Sequence, residues 1–264
     1  MKIFVGLLAS VAFFSTAAEA NFKTILLEPD SEISLPLTCK GADSKIQLKD
    51  GQVGVIGSLG KAYSLNLDEQ LEKLPIMVGS SGDSGECVLA VKYAENDVNE
   101  SYSLFVFDSV NGKYKSSAVP IVTNPEFSAG KVLSNYRDGA VTHNDTLCFS
   151  STNKDYYVCE KREQFTEGLE RIQKCNESKC LDTAVVKENT SSPIGAVVVS
   201  PKVYLSDRNE DSTFSQRKAY LVVGDKVVLT DFFSGDEGMY YKVVYEGKSK
   251  TVGWLSSESV RVNE

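Results

Sequence analysis

Six cysteines, a single histidine, adjacent carboxylates and several tyrosines around the only tryptophan are the groups in this chain that could do chemistry. Cys39, Cys87, Cys148, Cys159, Cys175 and Cys180 are even in number, which in an oxidising compartment reads as three disulfides. Cys148 and Cys159 are symmetric about Asn153-Lys154 and lie in two apolar-rich runs, 146–151 and 156–160, so a hairpin would place them opposite each other. A four-residue loop sets such a pair at a non-hydrogen-bonded site, where side chains come closer. Cys175 and Cys180 bracket residues 176–179 and can close a small loop, which leaves Cys39 and Cys87 as the third pair. A zinc site finds its spacing only at Cys175 and Cys180 and lacks a second nearby pair of ligands, so no metal is expected.

Acid–base and nucleophilic chemistry has little to work with. His143 is the only histidine, in a segment 138–144 that reads as a loop, and every cysteine is better used as half of a disulfide. No nucleophile elbow, zinc-protease helix motif, phosphate loop or dinucleotide fingerprint is present. Asp236-Glu237 and Glu210-Asp211 are neighbours in polar, turn-like stretches, whereas a glycosidase needs two carboxylates tuned apart across a cleft. The expectation is therefore a binder without catalytic residues or cofactor, the alternative enzyme being a hydrolase with an unrecognised carboxylate site. The candidate binding residues are Tyr204, Tyr240, Tyr241 and Trp254, aromatics that could line a groove for a peptide or glycan. Tyr241 and Trp254 suit a barrel core equally well. Neighbours on a strand face opposite ways, which makes Tyr240 the better surface candidate. Four N-x-S/T sequons, at Asn99, Asn144, Asn176 and Asn189, are read as chance in a chain rich in these residues.

The elements that must position these groups are strands. Over 22–165, short β-rich runs alternate with turn clusters: 24–27, 32–37, 45–56, 87–93, 102–107 and the cysteine hairpin, with Asn111-Gly112 a strong hairpin turn. Helices are expected only over 67–73 and over 162–174, where Phe165, Leu169 and Ile172 fall near helical spacing. Residues 181–195, mixing charge with Asn189-Thr190-Ser191-Ser192-Pro193, read as a linker. Beyond them six runs, 196–200, 202–206, 219–223, 226–233, 240–245 and 251–255, describe a small barrel or sandwich.

The start of the chain implies export. Lys2, the apolar run 3–14 and Ala18-Glu19-Ala20 form a signal peptide with its cleavage site, so residues 1–20 are expected to be removed. No cysteine follows where a lipid would attach, and no later run approaches the length of a membrane span. A periplasmic or secreted protein is expected. Cleavage removes one base and one acid, so the net charge stays at −8 and nucleic acid is an unsuited partner. Residues 21–200 carry 18 basic and 25 acidic side chains, against nine and ten over 201–264. That imbalance keeps the chain in solution and would steer a cationic partner.

The C-terminal part resembles a bacterial SH3-like domain, over about residues 196–262. The likeness rests on Lys202-Val203-Tyr204-Leu205, on 219–227 with Gly224-Asp225 at a hairpin turn, on Tyr241-Lys242-Val243 and on Gly253-Trp254-Leu255. Such domains in exported bacterial proteins bind peptidoglycan or proteins. The N-terminal part is similar, over about 86–165, to the propeller-like periplasmic lysozyme-inhibitor family. It shares the aromatic strand and hairpin 104–114, Asn124-Pro125-Glu126-Phe127, and Arg137-Asp138-Gly139-Ala140 followed by 145–149. The family's calcium loop has no counterpart in Asp83-Ser84-Gly85-Glu86-Cys87, which lacks carboxylates at fixed intervals. Together these likenesses imply an all-β protein: a propeller-like β domain over 21–180, a linker over 181–195 and an SH3-like barrel over 196–264. The implied function is a protein-binding module, blocking a cationic peptidoglycan hydrolase or giving immunity to an antibacterial effector. The alternative is an envelope protein anchored to peptidoglycan by its SH3-like part.

Overall fold

The computed structural model describes residues 22–35, 45–57, 60–67, 74–80, 87–128, 130–166 and 168–263. The expected signal peptide, the helix expected over 67–73 in all but Leu67, and Cys39 lie outside them.

The fold is all-β, with no α-helix among the described residues. Among the described residues, twenty-two strands form four antiparallel sheets. Sheet A joins β1 Lys23–Leu27, β6 Leu74–Ser80, β7 Cys87–Glu95, β8 Glu100–Asp108 and β9 Lys113–Thr123. Sheet B is the meander β2 Glu32–Ser34, β3 Lys45–Lys49, β4 Gln52–Ile56 and β5 Ala62–Ser64. It is inserted between β1 and β6, which pair with each other. Sheet C is the meander β10 Glu126–Ser128, β11 Lys131–Asp138, β12 Val141–Ser150, β13 Asp155–Thr166, β14 Leu169–Lys174 and β15 Ala184–Lys187. Sheet D has the order β18-β17-β21-β20-β19-β16-β22. Its strands are β16 Gly195–Val198, β17 Lys202–Arg208, β18 Phe214–Val222, β19 Lys226–Gly235, β20 Gly238–Glu246, β21 Lys250–Ser256 and β22 Val260–Val262.

Sheet A shares one core with sheet B and another with sheet C, and sheet D has a core of its own that residues of sheet C join. Residues 87–91, an unbroken apolar run, show why sheet A is central. Successive side chains point to opposite faces, so Cys87, Leu89 and Val91 join the core with sheet B while Val88 and Ala90 join the core with sheet C. Ile46, Leu48, Val53 and Val55 close the first core from sheet B, and Val132, Leu147 and Tyr156 close the second from sheet C. Sheet D packs around Leu205, Leu229, Val243 and Leu255, joined by Val185 and the rings and side chains of Phe165 and Leu169 from sheet C.

The run 45–56, expected as one strand, is a hairpin. Asp50 and Gly51, both at positive φ, turn the chain between β3 and β4. Cys148 and Cys159 are disulfide-bonded with Cα atoms 5.6 Å apart. The loop between their strands has four residues, 151–154, but Cys148 faces Tyr157 in the ladder. Cys159 is the extra residue of a β-bulge, which brings its side chain back toward Cys148. Cys175 and Cys180 form the second disulfide. Cys87 is disulfide-bonded too, and no described cysteine is free.

Three readings of the sequence are corrected. Residues 162–174 are not a helix but the end of β13 and all of β14. A bulge places Phe165 outside the ladder and Gly168 turns at positive φ, so the apolar spacing of three and four comes from an interrupted alternation. The segment 138–144 is not a loop around His143, because the turn is confined to Gly139-Ala140 and His143 lies in β12. The stretch 181–195 is not an unpacked linker. It contains β15, whose Val185 and Val186 are fully buried, and Ile194 is hydrogen-bonded on one side to Val185 and on the other to Leu229. Charge and hydroxyl residues dominate its composition because they occupy the exposed turn 188–192, while three apolar residues fill the core.

Candidate functional site

Sheet D carries a pocket of about 360 Å³ between two turns. The turn from β17 to β18 supplies Asp211, Ser212, Thr213 and Phe214, and the β19–β20 hairpin supplies Phe233, Gly235, Asp236, Glu237, Gly238 and Tyr240. Local chemistry explains both turns. Asp211 accepts hydrogen bonds from the Thr213 amide and hydroxyl, a side-chain-capped turn, and these bonds hold its carboxyl below the usual carboxylate range. The hairpin tip is Asp236-Glu237 between Gly235 and Gly238, with Gly238 at φ 104°. A Cβ on Gly235 would stand 2.7 Å from the Phe233 ring, so glycine there lets the ring lie along the hairpin.

The floor is aromatic. Tyr240 stacks on Phe214 at 3.8 Å between centroids, and Phe214 meets Trp254 edge-on at 5.7 Å and Phe233 at 5.8 Å. Arg208 covers one face of Phe233, its guanidinium carbon 3.7 Å from the centroid, and donates to the Ser212 hydroxyl. Asp236 and Glu237 are exposed at the rim and make no hydrogen bond or ion pair among the described residues.

The four aromatics singled out from sequence do not form one groove. Tyr240 lines the pocket and Trp254 backs it, almost wholly covered. Tyr241, one residue on, points inward and is buried in the sheet D core. Tyr204 is exposed elsewhere, edge-on to Tyr220, with the Lys202 ammonium 4.7 and 4.2 Å from the two ring centroids. Sequence reasoning missed Phe214 and Phe233. Phe214 carried a signal, as a large apolar ring ending the polar run 209–213.

A second concavity, about 380 Å³, lies on sheet C and is lined by Tyr136, His143, Asp145, Lys161, Arg162, Glu163, Arg171, Gln173 and Thr183. Its middle is a cross-strand row, because β11 pairs Tyr136 with His143 and β13 pairs His143 with Glu163. Tyr136 and His143 stack in parallel at 4.5 Å. Both arginines are tied down. Arg162 bonds Glu160 and Glu170 at 2.7 Å each, and Arg171 bonds Glu163 and, at 2.8 Å, Asp231 of β19. Burial raises the Asp145 carboxyl above its usual range, with Lys161 and His143 opposing and Glu163 adding to the rise. Burial, then the carboxylates of Asp145, Glu163 and Asp138, likewise raises the Tyr136 hydroxyl.

The chain matches no family model, no curated protein and no solved structure. No helix among the described residues is long and apolar enough to cross a membrane, and no group of three or more potential metal-binding residues occurs among them. The disulfides fit an extracytoplasmic protein.

Proposed function

We propose that this protein is an exported protein-binding module that grips a basic side chain of its partner in the sheet D pocket. The observation that carries the reading is the half-buried shelf of Phe214, Phe233 and Tyr240 with the unpaired carboxylates Asp236 and Glu237 at its rim. Aromatic faces and carboxylates together attract an ammonium or guanidinium, and Arg208 already occupies one of the ring faces in this way. The excess acid of residues 21–200 would steer a cationic protein toward the chain, and a peptidoglycan hydrolase of the lysozyme kind is the partner this chemistry favours.

Two features support the domain readings behind it. The succession of β16, the long β17–β18 hairpin, the meander β19 to β21, a 3-10 turn at Ser257–Ser259 and a returning β22 suits an SH3-like barrel. The serial antiparallel sheets B, A and C suit a propeller-like inhibitor domain.

The test is inhibition of, and binding to, cationic lysozymes and the hydrolases encoded beside this gene, at low and high salt. We expect binding that weakens with salt, is indifferent to chelators, and drops about tenfold or more, roughly 1.4 kcal/mol, in Tyr240→Ala or in the double variant Asp236→Asn/Glu237→Gln. Absence of binding together with retention of the chain on purified sacculi would replace this reading with wall anchoring.

A further inference from the structure

The groove on sheet C holds two charged side chains of opposite sign that close no ion pair. Asp145 and Lys161 both line it, on the neighbouring strands β12 and β13, and neither makes a hydrogen bond or ion pair among the described residues. Every other charged side chain of the lining is already committed: Arg162 to Glu160 and Glu170, Glu163 and Arg171 to each other, and Arg171 also to Asp231. Asp145 is half-buried, where an unpaired carboxylate is costly. Lys161 is near enough to act on it electrostatically without closing an ion pair.

We infer that this groove binds a small zwitterion, a free α-amino acid, with its ammonium on Asp145 and its carboxylate on Lys161. One α-carbon carries both groups a few ångströms apart, so one such molecule can satisfy the two unpaired charges together. A ligand with a single charge would leave the other unmet. The volume, about 380 Å³, has room for an amino acid. Gln173, Thr183 and the Tyr136 hydroxyl add neutral hydrogen-bonding groups, and the stacked pair Tyr136–His143 gives the groove a flat wall. The committed ion pairs hold the frame. Arg171 ties β14 both to β13 and, through Asp231, to sheet D, so the groove's lining is anchored before ligand arrives.

The inference is independent of the sheet D pocket, since no residue lines both. Its test is calorimetric titration of the purified chain with the free amino acids in both enantiomers and 2,6-diaminopimelate. Ethylamine and acetate serve as single-charge controls. We expect at least one zwitterion to bind with a Kd below millimolar, and ethylamine and acetate to bind at least tenfold more weakly. Asp145→Asn and Lys161→Gln should each weaken the zwitterion at least tenfold, while Tyr240→Ala leaves it unchanged. Binding of ethylamine as tight as that of the zwitterion would overturn the inference in favour of a plain cation site. Failure of the whole panel to bind, or binding indifferent to both groove variants in protein with unaltered thermal unfolding, would overturn it outright.

Discussion

Two aspartates on sheet C show how environment divides one side-chain type between structure and function. Asp155 is almost fully buried and saturated. Its Oδ1 accepts from the Ser117 hydroxyl at 2.7 Å and from the amides of Tyr156 and Ala118, and its Oδ2 faces the Lys115 ammonium at 3.2 Å. That set ties β9 of sheet A to β13 of sheet C. Asp155→Ala should cost about 3 kcal/mol in chemical denaturation, because it strands a buried hydroxyl and two amides. Asp145 is the opposite case. Its pKa is raised by burial, so the folded state favours the protonated form, and the ionised form is a cost that appears as pH rises above the usual aspartate range. Asp145→Asn should therefore leave the chain at least as stable as the parent at pH 7, and any advantage should vanish below about pH 4. Melting curves of the two proteins at both pH values check the sign. A variant markedly less stable at neutral pH would mean that the carboxylate is a structural partner.

At the scale of elements, bulges and turns decide what the strands present. The bulge at Cys159 converts a diagonal relation into a bondable one, and the bulge at Phe165 frees that ring to stack on Phe232 at 3.6 Å. The disulfide of the first closes a short loop on an already paired hairpin. Replacing both Cys148 and Cys159 by alanine should lower stability by roughly 2–3 kcal/mol, measured by denaturant unfolding with the other cysteines oxidised. The loss should be absent when parent and variant are compared under reducing conditions. The four-residue loop of the cysteine hairpin was legible beforehand, as was the turn at Asn111-Gly112, where Gly112 has φ 65°, whereas the β13–β14 hairpin was hidden behind a helix-like spacing. The bulges were not legible, because an extra residue is settled by the partner strand and leaves no local mark in the sequence.

At the scale of the molecule, sheets C and D share a core. Val185 is fully buried among sheet D residues, Phe165 stacks on Phe232, and Arg171 holds Asp231 while its guanidinium lies 4.8 Å from the Phe232 centroid. A fragment 196–264 would lose the cover of Val185, Ile194 and Phe165, exposing apolar surface worth about 25 cal/mol per Å². Trp254, the only tryptophan, is buried in sheet D and reports on it alone. Its fluorescence transition should occur at clearly lower denaturant in the fragment than in the full chain. Coincident transitions would mean that the shared core contributes nothing to sheet D.

The amino-acid sequence by itself determined the all-β class, the turn at Asn111-Gly112, the cysteine hairpin and the alternation that turns Tyr241 inward and Tyr240 outward, because these follow from residue type and from periodicities of a few residues. Only the tertiary structure decided that Phe214 and Phe233 complete the floor beside Tyr240, that Tyr204 lies apart from them, and that Asp145 and Lys161 meet unpaired in one groove. Those outcomes depend on the register of strands and on bulges that displace it. A one-residue change of register carries a side chain to the other face, and that choice is made by the packing of whole sheets against one another.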